Sequence, residues 1–314
     1  MRHKIKQLFS IYLFKLVASI TFVANVTTAI AETVVNEGIN LLDDTQTKIH
    51  LAKPAERIVS LSPHLTELLF SVGAGNKIVA TVDFANYPEQ AKKIPNLGNY
   101  TKLNAESIIA FKPDLVIAWP SGNDPRVIEQ LRQLGVNVYV QEGEDMDLLS
   151  HEIRQLGALA GTGSIAEKVA SEADARLAAL KLQQNTKTPI RVFYQVWNNP
   201  LMSVNDKQQI GKMIHLCGGT NIFGNAQILA PQISVESVLA ADPDVIIASG
   251  MDTSRPEWLD DWKKWPQLKA VKSDDLYFIE PDYVQRFSLR SLDGTEKICG
   301  FLDKAREKQN KLRP

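Results

Sequence analysis

The sequence predicts an α/β protein of two similar lobes, each built on a parallel sheet, with one long helix between them. Three observations carry this. Short apolar runs alternate with stretches of helical apolar spacing along most of the 314 residues, which is the pattern of strands and crossover helices. A unit of 15 residues occurs twice, 130 positions apart. A chain of this length also exceeds what one hydrophobic core usually supports.

The first 31 residues differ from the rest. Arg2, Lys4 and Lys6 give a basic start, an apolar run follows over 16–23, and Ala29, Ile30 and Ala31 put small residues around a cleavage point. Residues 1–31 therefore read as a secretory signal removed after Ala31. The apolar run is far short of the roughly 20 residues of a membrane-spanning helix. No Cys stands near the cleavage point, so no lipid anchor is expected. In the extension 32–56, residues 39–51 alternate around the turn-prone Asp43 and Asp44 and read as a hairpin.

A first lobe is expected over 57–163. A strand at 58–61 is broken by Ser62 and Pro63, and a helix at 66–72 is stopped by Gly73 and Gly75. Strands at 77–81, 115–119 and 136–140 then alternate with helices at 105–111, 126–134 and 148–160. Residues 164–185 hold the longest helical pattern, with Ile165, Val169, Ala173, Leu177 and Leu180 on one stripe. At about 1.5 Å per residue that helix reaches about 30 Å, so 164–187 is expected to link the first lobe to a second over 188–314. The second lobe starts with a strand at 191–196 and ends in helices.

The repeat makes the two-lobe reading specific. Residues 104–118 read NAESIIAFKPDLVIA, and 234–248 read SVESVLAADPDVIIA. Each describes an N-cap (Asn104 or Ser234), a short helix with an acid in its first turn, a Pro-Asp turn and a buried strand. Glu106 and Glu236 hold the same place in the two copies. A carboxylate there meets the helix dipole favourably, and a symmetric membrane dimer with two basic pockets has two matching points to read.

Composition narrows the function. The leader holds four of the 35 Lys and Arg and none of the 36 acids, leaving 31 against 36, a formal charge of minus five. That argues against nucleic acid as a partner. No hydrolase nucleophile elbow, phosphate-binding Gly loop or HExxH pair is present. The histidines stand singly, which does not suggest a metal site. His64 follows a strand end, where α/β sheets present ligand contacts, and with Asp282 it is the one pair that a hydrolase reading has to work with. Aromatics gather near strand ends in both halves: Phe84, Tyr87, Tyr100, Trp119, Trp197, Tyr283 and Phe287. They suit a cleft for a large, flat, partly apolar ligand. Asp282 and Arg286 share one late loop. Cys217 and Cys299 are the only cysteines, and in an oxidising compartment they read as a disulfide, with two buried free thiols as the alternative.

These residues resemble the periplasmic substrate-binding proteins of ABC importers that have a rigid helical linker, and among them the cobalamin-binding branch. The similarity runs over about 57–299. It rests on RIVSLSPHLTELLFSVGAG, NYPEQAKKI, KPDLVIAW with Gly122 and Asn123 soon after, LCGGTNIF and PQISVESVLA. The resemblance implies two Rossmann-like lobes with central parallel sheets and one long rigid α-helix. It implies a monomer in the periplasm, with no catalytic cofactor, that captures cobalamin (vitamin B12) or a related corrinoid and hands it to a transmembrane permease dimer. Haem or an iron siderophore is the alternative ligand in the same fold.

Position by position, the resemblance puts a ligand-stacking aromatic on Phe84, a cleft aromatic on Tyr100, and a late element touching the corrin on Asp282, Tyr283 and Arg286. Trp119 and Trp197 join them as expected ligand contacts. The family's permease-docking glutamates fall on Glu106 and Glu236, and its disulfide on Cys217 with Cys299. Two family aromatics are replaced, one by Val196 beside Trp197 and one by Ala230, which thins one wall of the cleft.

Overall fold

A computed structural model of the chain describes residues 38–143, 145–184, 187–251 and 253–312. The expected signal over 1–31 and the start of the extension lie outside the described residues. Strands β1 (Ile39–Leu42) and β2 (Lys48–Leu51) pair antiparallel as the expected hairpin. Asp43 holds its turn, with one carboxylate oxygen accepting the Thr45 and Thr47 N–H groups at 2.9 Å. The other oxygen takes Arg132 at 2.8 Å, which fastens the hairpin to the first lobe.

The first lobe runs β3 (Ile58–Ser60), α1 (Pro63–Ser71), β4 (Ile78–Ala80), α2 (Ala105–Ile109), β5 (Leu115–Ala118), α3 (Pro125–Gln133), β6 (Val138–Val140) and α4 (Leu149–Ala160). Helix α5 (Gly163–Gln184) follows. The second lobe runs β7 (Ile190–Gln195), α6 (Gln209–Leu216), β8 (Gly219–Asn221), α7 (Val235–Ala241), β9 (Val245–Ala248), α8 (Lys269–Lys272), β10 (Leu276–Phe278) and α9 (Leu289–Leu312). Both four-stranded sheets are parallel, in the orders β4-β3-β5-β6 and β8-β7-β9-β10. Each therefore repeats one topology, with the lobe's first strand between its second and third.

The pleat sorts each strand between two cores. In β5, Leu115 and Ile117 pack with Leu65, Leu68 and Ile153, whereas Val116 and Ala118 pack with Ile108, Ile128 and Leu131 on the other face. In β9, Val245 and Ile247 share the first of these cores, and Ile246 and Ala248 meet Trp262 and Leu268 instead. One apolar core thus runs from lobe to lobe, and each sheet has its own outer core.

The repeat is also a repeat of hydrogen bonds. Asp114 accepts the Arg57 N–H at 3.0 Å while Arg57 donates to the Phe111 carbonyl at 2.6 Å. In the second lobe Asp244 accepts the Arg191 N–H at 2.9 Å, and Arg191 donates to the Ala241 carbonyl at 2.8 Å. Each pair ties the end of the repeat's helix to the start of the lobe's first strand.

On α5 the buried stripe differs from the expected one. Ala166, Ala170, Ala173, Leu177 and Leu180 are buried, Val169 is only partly so, and Ile165 is 47% exposed. Close approach of α4 is the reason, since a Cβ added at Gly157 would sit 2.1 Å from the Ala166 methyl. Small residues face the neighbour, and Ile165 is displaced to the rim, over Gly73. Cys217, at the end of α6, is disulfide-bonded to Cys299 of α9 across a sequence separation of 82. No helix among the described residues is long and apolar enough to cross a membrane.

Candidate ligand cleft

In each sheet the strand order reverses beside the first strand, so the loops beyond β3 and β5, and beyond β7 and β9, open a crevice at the carboxyl ends of the strands. Ser62 leaves β3 and caps α1, its hydroxyl accepting the Leu65 N–H at 3.2 Å. That cap places His64 in the first turn, with a ring nitrogen 3.0 Å from the same hydroxyl. Burial, and then the charge of Arg286, hold its pKa down at about 3, so the imidazole is neutral.

Trp119 directly follows β5 and meets the His64 ring edge-on, with centroids 5.2 Å apart. The Tyr100 ring lies 5.7 Å from it on another side. Asn123 fixes this corner: its side chain accepts the Trp119 N–H at 2.7 Å and donates to the carbonyls of Leu61 at 2.9 Å and Tyr100 at 3.1 Å. Glu142 accepts the Trp119 indole N–H at 3.2 Å and the Ser121 N–H at 3.1 Å. Gly122 runs directly beneath the indole, where a Cβ would come within 2.0 Å of the ring. Phe84 stands 67% exposed at the mouth, with φ of 65°, a conformation that costs a bulky residue strain.

Two cavities meet at these rings. One, of about 370 Å³, lies between Phe84, Tyr100 and Trp119 on one side and Met251, Asp282 and Arg286 on the other. The second, of about 430 Å³, shares His64, Trp119 and Gln285 with the first and extends to Glu142, Lys207 and Leu229. Arg286 is anchored from both lobes, donating to Glu67 at 2.8 Å and Asn86 at 3.0 Å and pairing with Asp282 at 3.0 Å. The pair is half-buried, with side chains 13% and 19% exposed.

Of the residues expected to touch ligand, Phe84, Tyr100, Trp119, Asp282 and Arg286 line the cleft. Tyr283 lies outside both linings, its ring 4.6 Å from the Lys297 ammonium and 5.7 Å from the Arg290 guanidinium of α9. Trp197 is 39% exposed and outside both linings too, its indole donating to the Asn199 carbonyl at 3.0 Å. Val196 packs on the shared core, and Leu229, next to Ala230, reaches the second cavity.

Glu106 and Glu236 are both exposed, one in the first turn of α2 and one in the first turn of α7. Hydrogen bonds from its own N–H and from Ser234 hold the Glu236 carboxyl below the usual carboxylate range. Sequence reasoning missed Glu67, whose signal is an acid set among Leu65, Leu68 and Leu69 on a buried helix. It also missed Met251, Gln285 and Leu229, which no local pattern marks.

Residues 58–283 match the family described as periplasmic binding protein. The vitamin B12-binding protein of Vibrio cholerae serotype O1 is 36% identical to the chain over 255 residues, which are 80% of this chain and 91% of that one. The crystal structure of the periplasmic vitamin B12 binding protein of Vibrio cholerae matches with a TM-score of 0.73 at 35% identity, covering 80% of this chain and 98% of that one. A periplasmic haem-binding protein from Roseiflexus sp. RS-1 matches with a TM-score of 0.70 at 26% identity, covering 80% of this chain and 99% of that one.

Proposed function

Because the chain belongs to the periplasmic binding protein family, we propose that it is exported, holds cobalamin or a related corrinoid between its lobes, and delivers it to the permease dimer of an ABC importer. The similarity to vitamin B12-binding proteins supports the ligand. The observation that carries it is a cleft walled by the Tyr100 and Trp119 rings, in which the formal charges of the described lining residues cancel. Asp282 faces Arg286 in one cavity, Glu142 and Lys207 share the other, and His64 between them is neutral. A corrin matches this, with a flat and partly apolar body and uncharged carboxamides on its rim. Haem brings two carboxylates, for which the described lining residues hold no surplus cation. Tyr100 and Trp119 supply the ring contacts, and Asn86, Gln285 and Arg286 the hydrogen bonds to the rim. The reading assigns no covalent step, and the ligand leaves as it came.

Cobalamin added to the purified mature protein is expected to quench tryptophan fluorescence through Trp119 and to co-elute on gel filtration. Failure of both overturns the assignment, and saturable haem binding in their place moves it to a haem carrier.

A further inference from the structure

Glu67 is the centre of a charge cluster that joins the two lobes. Its carboxylate comes from α1 and is 5% exposed. Arg286 and Ser288 donate to it at 2.8 Å, and the Arg290 Nε donates at 3.0 Å, all three from the second lobe. Asp282 closes the cluster, 3.0 Å from Arg286 and 3.4 Å from Arg290. Two guanidiniums therefore face two carboxylates.

The cluster is also a partition. Asp282 and Arg286 line the cleft, whereas Glu67, Ser288 and Arg290 line a separate cavity of about 380 Å³ whose apolar wall includes Phe70, Tyr87 and Leu289. Arg286 is held in the partition by Glu67 and Asn86, which accept from it, and by its pairing with Asp282. The Arg290 guanidinium lies 4.3 Å from the centre of the Tyr87 ring, so it cannot turn away freely.

Taking the cleft as a corrinoid site, on which this rests, we propose that Glu67 is a positioning residue that sets the charge of the cleft and so its specificity. It cancels one guanidinium and holds the other at the rim, and the cleft then favours a macrocycle with an uncharged rim over one that carries carboxylates. Without Glu67 the cluster has a net charge of plus one beside the ligand, and an anionic macrocycle gains.

The test compares equilibrium affinities for cyanocobalamin and haem in wild type, Glu67→Gln, Arg290→Gln and the double variant, each checked for folding by circular dichroism. Glu67→Gln is expected to shift the ratio toward haem by tenfold or more, Arg290→Gln to shift it the other way, and the double variant to return it near the wild-type value. A merely structural role gives no such reversal, because the double variant is the more disrupted. Equal changes for both ligands in the single variants, or a double variant further from wild type than either, overturn the proposal. If Glu67→Gln does not fold, the direction of the Arg290→Gln shift decides alone. A wild-type protein that binds no cobalamin removes the corrinoid reading and this proposal with it, an outcome visible before any variant is made.

Discussion

Gly122 shows how closely the cleft is built at the scale of a residue. The Trp119 ring occupies the space of any side chain there, so Gly122→Ala must displace the indole. Overpacking of this kind costs about 1 to 3 kcal/mol. Cobalamin affinity is expected to fall at least tenfold, read by fluorescence titration. Two buried groups also give the stability a pH dependence. His64 titrates at about 3 in the folded protein against an ordinary value of 6.5, so between these pH values the unfolded chain binds the extra proton. Stability therefore falls as pH drops through that window, by up to roughly 1.4 kcal/mol per unit. Glu152 works the other way. Burial, with the charges of Asp44 and Glu142, raises its pKa from 4.5 to about 8 against the opposing hydrogen bond from Gln141, so the folded protein keeps a proton that the unfolded chain releases. Stability is lost as pH rises from 4.5 to 8. Thermal melts across this range should show the acid-side loss vanish in His64→Gln and the alkaline-side loss vanish in Glu152→Gln. An unchanged profile in either variant contradicts that residue's assignment. The rings that line the cleft were legible because aromatics at strand ends are conspicuous, whereas Glu67 and Gln285 are held in place by partners more than 200 and about 35 residues away.

The elements were legible where apolar periodicity is strong. Strands β3, β5 and β9 are three or four consecutive apolar or small residues, and both copies of the repeat fold as read. The strand β8 is Gly-Thr-Asn, of which only Thr favours a strand; its pairing to β7 makes it one. The stripe of α5 was misplaced for a related reason, since alanine carries little hydrophobic signal yet is what allows α4 to approach. The disulfide acts at this scale too, tying the end of α6 to α9. Because it closes a loop of 82 residues, the chain-entropy description assigns it about 4 to 5 kcal/mol. Cys217→Ser with Cys299→Ser is expected to lower the melting temperature by about 10 °C, at roughly 2 to 4 °C per kcal/mol for a chain of this size. The same shift should appear when the wild type is reduced, and a reducing agent should leave the double variant unchanged.

Across the whole molecule, the lobes meet through more than a hinge. Phe287 packs where Gly143 has no side chain, Met146 lies in the shared core, and α5 is pinned by Arg154 to Glu167 and Asp174 and by Arg176 to Asp293 and Glu296. The ion pairs are exposed and contribute little singly, so the apolar contact does most to hold the lobes together. Scattering curves with and without cobalamin are expected to differ in radius of gyration by no more than about 1 Å, and a larger closure contradicts a rigid linker. For the delivery proposed above, a rigid linker leaves a permease no large change of shape to recognise, so it needs fixed points to grip. Glu106 and Glu236 are suited to that role. Each is exposed in the first turn of a helix whose far end is held by the same Arg and Asp device, so two equivalent lobes present equivalent carboxylates. A two-fold partner with two cationic pockets gains from both, and each pairing adds to the other because the lobes hold them rigidly. Replacing one by Ala should therefore reduce permease-dependent uptake, and replacing both should reduce it by more than either, while cobalamin affinity stays within about twofold of wild type. If affinity falls as far as uptake, the carboxylates support the cleft. If each single variant already abolishes uptake, the permease requires both contacts at once and the two lobes dock as one surface.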